Sequence, residues 1–311
     1  MNPPTIAVVG SINVDLVARV PRIPAPGETL LGSDLVTTFG GKGANQAVMA
    51  ARLGAHVFMV GKIGADSFGS DVLANFAREG VDTTYCLTTD RPTGVALISV
   101  AESTGQNTIV VTPGANAAVT PEAVRAAHLA IEAAGAVMCQ LEIPTSATLE
   151  AFRMARAKSV PAVTIFNPAP AVAFPPELLP LCDVILPNEH EAAQIAGMPP
   201  IHSIEDAFTV GKALQQRGVK NVVITLGSRG ALLIDEAGET AHLPAEKVEA
   251  VDTVGAGDAF AGSLAFFAAA GFDLRDSIRR AVAIATLSVL KPGAMASFPF
   301  AREIQHLLSN N

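Results

Sequence analysis

Aromatic residues are scarce in this chain. They make up 5% of its 311 residues, with one tyrosine and no tryptophan. A core of that size therefore rests on aliphatic packing. Hydrophobic residues reach 50%, and runs of Ala, Val, Ile and Leu suit a parallel sheet covered by helices on both faces. Cysteine is equally sparse. Cys86, Cys139 and Cys182 are far apart and odd in number, which excludes a disulfide framework or clustered zinc ligands and implies a reducing, cytoplasmic compartment. Positive charge is in deficit, with 21 Lys and Arg against 29 Asp and Glu and a net charge of −8. No basic run is present, so neither nucleic acid nor an anionic membrane is an expected partner. The longest apolar stretch, "AFAGSLAFFAAAGF" from Ala259, falls short of the roughly 20 residues that span a bilayer and reads as a buried helix. The opening "MNPPTIAVVG" has neither a charged leader region nor a cleavage site, so no signal peptide is expected. Repeats and low-complexity linkers are absent too.

What is present is alternation. Short β-rich runs ("IAVVG", "VFMVGKIG", "AVMCQLE", "AVTIFNP", "DVILPNE" and "VVITLGS") are separated by Ala-rich segments such as "GANQAVMAARLG". In the latter Ala44, Ala47, Val48 and Ala51 recur at helical spacing. The pattern predicts βαβ units and an α/β fold with a mainly parallel central sheet flanked by helices. Two stretches break it. Residues 13–39 carry prolines and strand-like pieces without a helix, and residues 93–113 read as a hairpin around Ser103–Gln106. Together they predict a small β layer outside the main sheet, either an edge extension or a lid. The main α/β domain would then comprise residues 1–12, 40–92 and 114–311.

In open parallel sheets, ligands bind beyond the carboxyl ends of the strands. Those ends are polar here: Asn13 and Asp15, Glu142, Asn188 and Glu191, then Thr225, Gly227, Ser228 and Gly230. Each residue alone also fits a helix cap; their shared position favours a site. Glycines supply a second signal. "FGGKGANQ" places Gly40, Gly41 and Gly43 at a helix start, where backbone can approach a ligand and free N–H groups point outward. It is not a dinucleotide fingerprint, because Gln46 stands where a third small residue is needed. Nor is there a P-loop, since no Gly-Lys pair is followed by Ser or Thr. "VGAGDAF" sets Gly255, Ala256 and Gly257 before Asp258. Small residues at a helix start make an anion hole. A carboxylate there repels phosphate, so it acts either as a base for an attacking hydroxyl or as a cap at the positive end of the helix. Both readings stand at this point.

"GGKGANQAV", "NPAPA", "PNEHEA", "TLGSRG" and "DTVGAGDAF" follow one another in this order. In these motifs the chain resembles the ribokinase family of carbohydrate kinases, over essentially its whole length. The resemblance implies ATP-dependent phosphorylation of a sugar, the 5-hydroxyl of D-ribose, with Mg2+ and K+ as cofactors. It implies that Asp258 is the base and that Gly255, Ala256 and Gly257 form the anion hole. Asn13, Asp15, Gly41, Lys42, Asn45 and Glu142 correspond to sugar-contacting positions. Asn188 and Glu191 match an Asn-x-x-Glu element that places Mg2+ and phosphate through water, and Lys42 is a further counter-charge. Thr225, Leu226, Gly227, Ser228, Arg229 and Gly230 match the nucleotide loop, together with Gly257. Asp252, Val254, Ser288, Lys291, Gly293 and Ser297 match a monovalent-cation site. Residues 13–39 and 93–113 become a lid that also pairs two subunits into a homodimer, with Val95, Leu97 and Ile98 set against Leu16 and Val17. The adenine side departs from the pattern: "RRAVAIATLSVL" is plain, and Val282 stands where some relatives are polar. Rival readings are a deoxyribose, fructose, ketodeoxygluconate or nucleoside kinase of the same fold, a nicotinamide dehydrogenase, and a non-catalytic sugar-binding protein.

Overall fold

The computed structural model describes residues 3–309. Two sheets organise it. The larger contains β1 (Thr5–Val9), β4 (His56–Gly64), β5 (Val81–Thr89), β8 (Ala136–Cys139), β9 (Val163–Phe166), β10 (Val184–Ile185), β11 (Asn221–Thr225), β12 (Ala231–Ile234) and β13 (Thr240–Leu243). Their order is β13-β12-β11-β10-β9-β8-β1-β4-β5. Pairing is parallel from β11 through to β5, while β12 and β13 add an antiparallel edge. The smaller sheet contains β2 (Asn13–Val20), β3 (Asp34–Gly40), β6 (Gly94–Ala101) and β7 (Asn107–Thr112), ordered β3-β2-β6-β7. The hairpin expected around Ser103–Gln106 is the turn between β6 and β7, closed by the Ala101 N–H donating to the Gln106 carbonyl.

The helices are α1 (Lys42–Arg52), α2 (Ser67–Glu79), α3 (Pro121–Ala126), α4 (His128–Ala133), α5 (Thr145–Ala157), α6 (Glu189–Ala196), α7 (Ile204–Gln215), α8 (Ala256–Ala269), α9 (Leu274–Ser288) and α10 (Gln305–Leu308). Strand periodicity divides the core between the two faces of the large sheet. Ile6 and Val8 of β1 pack with α1, α2, α8 and α9, through Ala47, Phe76, Phe267 and Ile278. Ala7 and Val9 pack with α3–α7, through Val124, Phe152, Ala193 and Leu214. Both faces are thus apolar, which is why the strands read as continuous hydrophobic runs. Most of the "AFAGSLAFFAAAGF" segment lies in helix α8, buried from Ala259 to Phe267. No helix among the described residues is long and apolar enough to cross a membrane.

The strands stop earlier than the runs suggest. β1 ends at Val9 and β8 at Cys139, so Asn13 and Asp15 belong to the smaller sheet and Glu142 to a loop. At the exit of β1 the chain is closely packed: a Cβ on Gly43 would stand 2.6 Å from the Ser11 nitrogen, and one on Gly10 2.8 Å from the Gly43 Cα. Two bare glycines let the start of α1 lie directly on the exit of β1. That contact turns the chain from one sheet into the other.

Candidate active site

Helix α8 begins at Ala256, and its N-cap is Gly255, with φ of 79°. A Cβ at Gly255 would also stand 2.8 Å from both Cα and Cβ of Ala294, so conformation and space both demand glycine. Asp258 lies in the first helical turn but does not cap it; no side-chain cap bond is made at this helix start. Instead its two oxygens accept from two amides: Oδ2 from Asn45 Nδ2 at 2.8 Å, Oδ1 from Gln46 Nε2 at 2.9 Å. The carboxylate is buried, and burial raises its pKa against the opposing pull of Lys42 and the two amides. The capping alternative therefore fails. The carboxylate is 7% exposed and stands in the first turn, whose N–H groups have no partner within the helix.

Gln46 holds a place in the site that no motif assigned to it. Its Nε2 also donates to Asn167 Oδ1 at 3.0 Å, and its Oε1 accepts from Gln140 Nε2. Asn167 in turn donates to the Leu186 carbonyl. This chain of amides ties the ends of β8, β9 and β10 to the Asp258 carboxylate. Its members stand in "GGKGANQAV", "AVMCQLE" and "NPAPA", and nothing in those segments pairs them with one another. Asn45 Oδ1 is buried and has no partner among the described residues. An incoming hydroxyl would satisfy it.

The remaining sugar-side candidates converge on the same place. Glu142 Oε2 accepts from the Lys42 N–H at 3.0 Å and from the Ser11 hydroxyl at 2.5 Å. Gly41 caps α1 with φ of 89°, and a Cβ there would meet the Asn13 nitrogen at 2.8 Å. Asn13 is buried and accepts from Asn116, which also bonds both backbone groups of Ile12. Ser11 and Asn116 carry no motif that points to them. Burial, then the charges of Glu142 and Asp258, push Asp15 up to about 6. Burial works to lower the Lys42 pKa, but Asp258, Glu142 and Glu191 outweigh it and the net shift is upward. One ammonium thus serves a cluster of carboxylates.

A cleft of about 800 Å³ opens on the other side of the α8 N-terminus. Asn188, Glu189, Thr225, Gly227–Gly230, Thr253, Ala256 and Gly257 line one part of it, and Ala245–Val248, Ala250, Phe260, Val282, Ala285, Thr286 and Val289 the rest. The plain sequence around Val282 supplies one wall of this cleft, through Val282, Ala285, Thr286 and Val289. Ala245–Val248, Ala250 and Phe260 join that lining without any sequence signal of their own. Asn188 and Glu191 form a reciprocal capping box on α6, at 2.8 and 2.9 Å. Arg229 is engaged by Glu189 and by the His202 carbonyl. Leu226 is buried behind the loop.

Asp252 sits below the α8 turn. Its Oδ1 accepts from the Val254 N–H at 3.0 Å and its Oδ2 from the Gly293 N–H at 2.8 Å, joining two loops. The Ser288 and Ser297 hydroxyls donate to the Ala285 and Ala294 carbonyls, while Lys291 turns away to Glu303. No group of three His, Cys, Asp or Glu that would suit a divalent ion occurs among the described residues.

The model of the pfkB family carbohydrate kinases matches residues 4–301. Mouse ribokinase is 42% identical over 307 residues, covering 96% of this chain and 93% of the mouse protein. Ribokinase of Haemophilus influenzae is 39% identical, covering 98% and 99% of the two chains. Among solved structures, Arabidopsis thaliana ribokinase complexed with ribose and ATP superposes with a TM-score of 0.91 at 31% identity, covering 99% of this chain and 100% of that one.

Proposed function

Because this chain belongs to the pfkB family of carbohydrate kinases, we propose that it transfers the γ-phosphoryl group of ATP to the 5-hydroxyl of D-ribose. The observation that carries the reading is the setting of Asp258: buried, not capping, fixed by two amides, between a polar cluster and the cleft. Similarity to ribokinases at about 40% identity supports ribose as the sugar.

In this mechanism the polar cluster orients the sugar. Asp15, Asn13, Glu142 and the unpartnered Asn45 Oδ1 accept from its hydroxyls, and Lys42 supplies a donor. Asp258 takes the proton of the primary hydroxyl as that oxygen attacks phosphorus. The N–H groups at the start of α8 receive charge that spreads over the transferring group, and Lys42 adds its ammonium. Positioning and electrostatics carry most of the rate in phosphoryl transfer. ATP enters as its Mg2+ complex; Asn188 and Glu191 would hold the ion's waters, since one Glu191 oxygen is outside the capping box. Asp252 and backbone carbonyls near Val254, Ser288, Lys291 and Gly293 would hold K+, which would supply fixed positive charge to the anion-hole turn. The small sheet acts as lid and as dimer contact. Three unpaired cysteines suit a cytoplasmic enzyme.

The test is a coupled ADP-release assay across D-ribose, 2-deoxyribose, fructose and adenosine, with the product position fixed by phosphorus–proton NMR. Ribose is expected to give the highest kcat/KM and ribose 5-phosphate. A better rate with adenosine or fructose, or phosphate on the anomeric oxygen, overturns the ribose assignment. No turnover with any acceptor overturns the kinase reading.

A further inference from the structure

Arg52 ends α1, ten residues beyond Lys42, and its side chain is 8% exposed. All its donor directions but one face a partner. Nε and Nη2 form a two-pronged bond with Glu79 of α2, at 2.8 and 2.7 Å. Nη1 donates to two main-chain carbonyls, Met295 and Phe298, at 2.7 Å each. The guanidinium also lies 4.4 Å from the Phe300 ring centroid. A planar fork is needed to hold a carboxylate on one edge and backbone on the other.

The held backbone is not incidental. Residues 294–298 back the Gly255 turn: Ala294 leaves no room for a Cβ there, and Phe298 Cε1 would lie 3.2 Å from one. The segment follows Gly293, whose N–H is taken by Asp252. The turn that opens α8 is thus clamped from below by a loop whose own position depends on Arg52. On its other side α8 is pressed onto α1, since a Cβ on Gly262 would stand 2.5 Å from the Gln46 carbonyl. One helix therefore carries sugar-side groups at its start and the pin for the loop behind the anion hole at its end.

We propose that Arg52 is a positioning residue for phosphoryl transfer, holding the 294–298 loop so that the α8 N-terminus grips the γ-phosphate. The proposal rests on the kinase reading above. Glu79 orients the guanidinium; the contact with the Met295 and Phe298 carbonyls does the positioning.

Two variants separate these parts. Arg52→Lys keeps the charge but lacks the fork, so the carbonyls lose their grip. Glu79→Gln keeps the guanidinium and its carbonyl contacts while weakening the pair. Each is assayed by calorimetry with ADP and with a non-hydrolysable ATP analogue, by ribose binding, by kcat and by thermal melting. In Arg52→Lys the preference for the ATP analogue over ADP should shrink and kcat should fall roughly 10- to 100-fold, with ribose affinity unchanged. Glu79→Gln should lower Tm but retain the preference and most of kcat. If both variants lower Tm and leave the ATP-analogue preference intact, or if both lose it equally, Arg52 is structural only and the proposal falls. If the wild-type protein itself does not prefer the ATP analogue, the assignment of the α8 turn fails instead.

Discussion

At the scale of single residues, the cluster of Asp15, Glu142, Asp258 and Lys42 decides what the site can do. Asp258→Asn preserves shape and removes the proposed base. The Asn45 amide can turn so that its unpartnered Oδ1 accepts from the new side chain, so sugar and nucleotide binding should survive. Turnover should drop by about 10²–10⁴-fold, measured as kcat with binding checked by calorimetry; near-normal kcat would remove Asp258 from the role of base. Asp15 makes a second, opposite kind of prediction. Its folded-state value of about 6 lies above the ordinary 3.8, so the folded protein binds its proton more tightly than the unfolded chain does. Stability from this group is therefore fully present below the ordinary value and is lost as pH rises through about 6. Above that pH Asp15 is ionised, able to accept from sugar hydroxyls, and a burden on the empty fold. Asp15→Asn should raise Tm by a few degrees at pH 8 while increasing the ribose KM more than it lowers kcat. The acid limb of kcat/KM near pH 6 should flatten with it. Unchanged Tm and an unchanged limb would mean that the cluster does not strain the fold.

At the scale of elements, the start of α8 and the loops beneath it form one unit. Asp252 is the tie: one carboxylate oxygen holds the Val254 N–H and the other the Gly293 N–H. If a monovalent cation binds among these loops, Asp252→Ala should lower kcat and abolish activation by potassium. Equal rates for the wild-type protein in potassium and in a bulky organic cation would argue against the site. These loops also show what the sequence could and could not disclose. The glycine-led starts of α1 and α8 were legible because glycine is the residue that a positive φ or a close backbone approach calls for. The apolar strands were legible because both faces of the sheet are covered. β5 was not, since "VDTTYCLTT" is a half-exposed, Thr-rich edge strand without alternation. β12 and β13 are four residues each and antiparallel, too short to read beside the parallel units. The amide chain through Gln46, Gln140 and Asn167 joins residues 94 and 121 positions apart, brought together by the pairing of β8 with β9 and by the packing of α1.

At the scale of the whole molecule, the small sheet poses a problem of surface. Its register places Asp15, Thr38, Ala96 and Val111 in one cross-strand row and Val17, Val36, Ile98 and Ile109 in the next row on the same face. The inner part of that face carries Asp15 toward Glu142 and Asp258, and Ala96 is buried. The outer part leaves Val36, Ile109 and Val111 at 39%, 56% and 46% exposure. Leu35, Leu97 and Val110 are exposed on the opposite face. The register thus divides the residues that the sequence offers for a subunit contact: Val17 and Ile98 share the Asp15 face, while Leu16, Val95 and Leu97 lie on the other. A sheet with this much uncovered apolar side chain and two open edges, β3 and β7, is an association hazard unless a partner covers it. A second copy, laid on the Asp15 face, would bury Val36, Ile109 and Val111 and stiffen the wall of the sugar site. The expected state is a homodimer by light scattering at assay concentration. Ile109→Lys together with Val111→Lys should convert it to a monomer, because two ammonium groups cannot be buried without partners. In that monomer the ribose KM should rise while melting of the large α/β core, whose residues are distant from the pair, stays near the wild-type temperature. A wild-type protein that is monomeric and fully active would show that the exposed face serves no second copy.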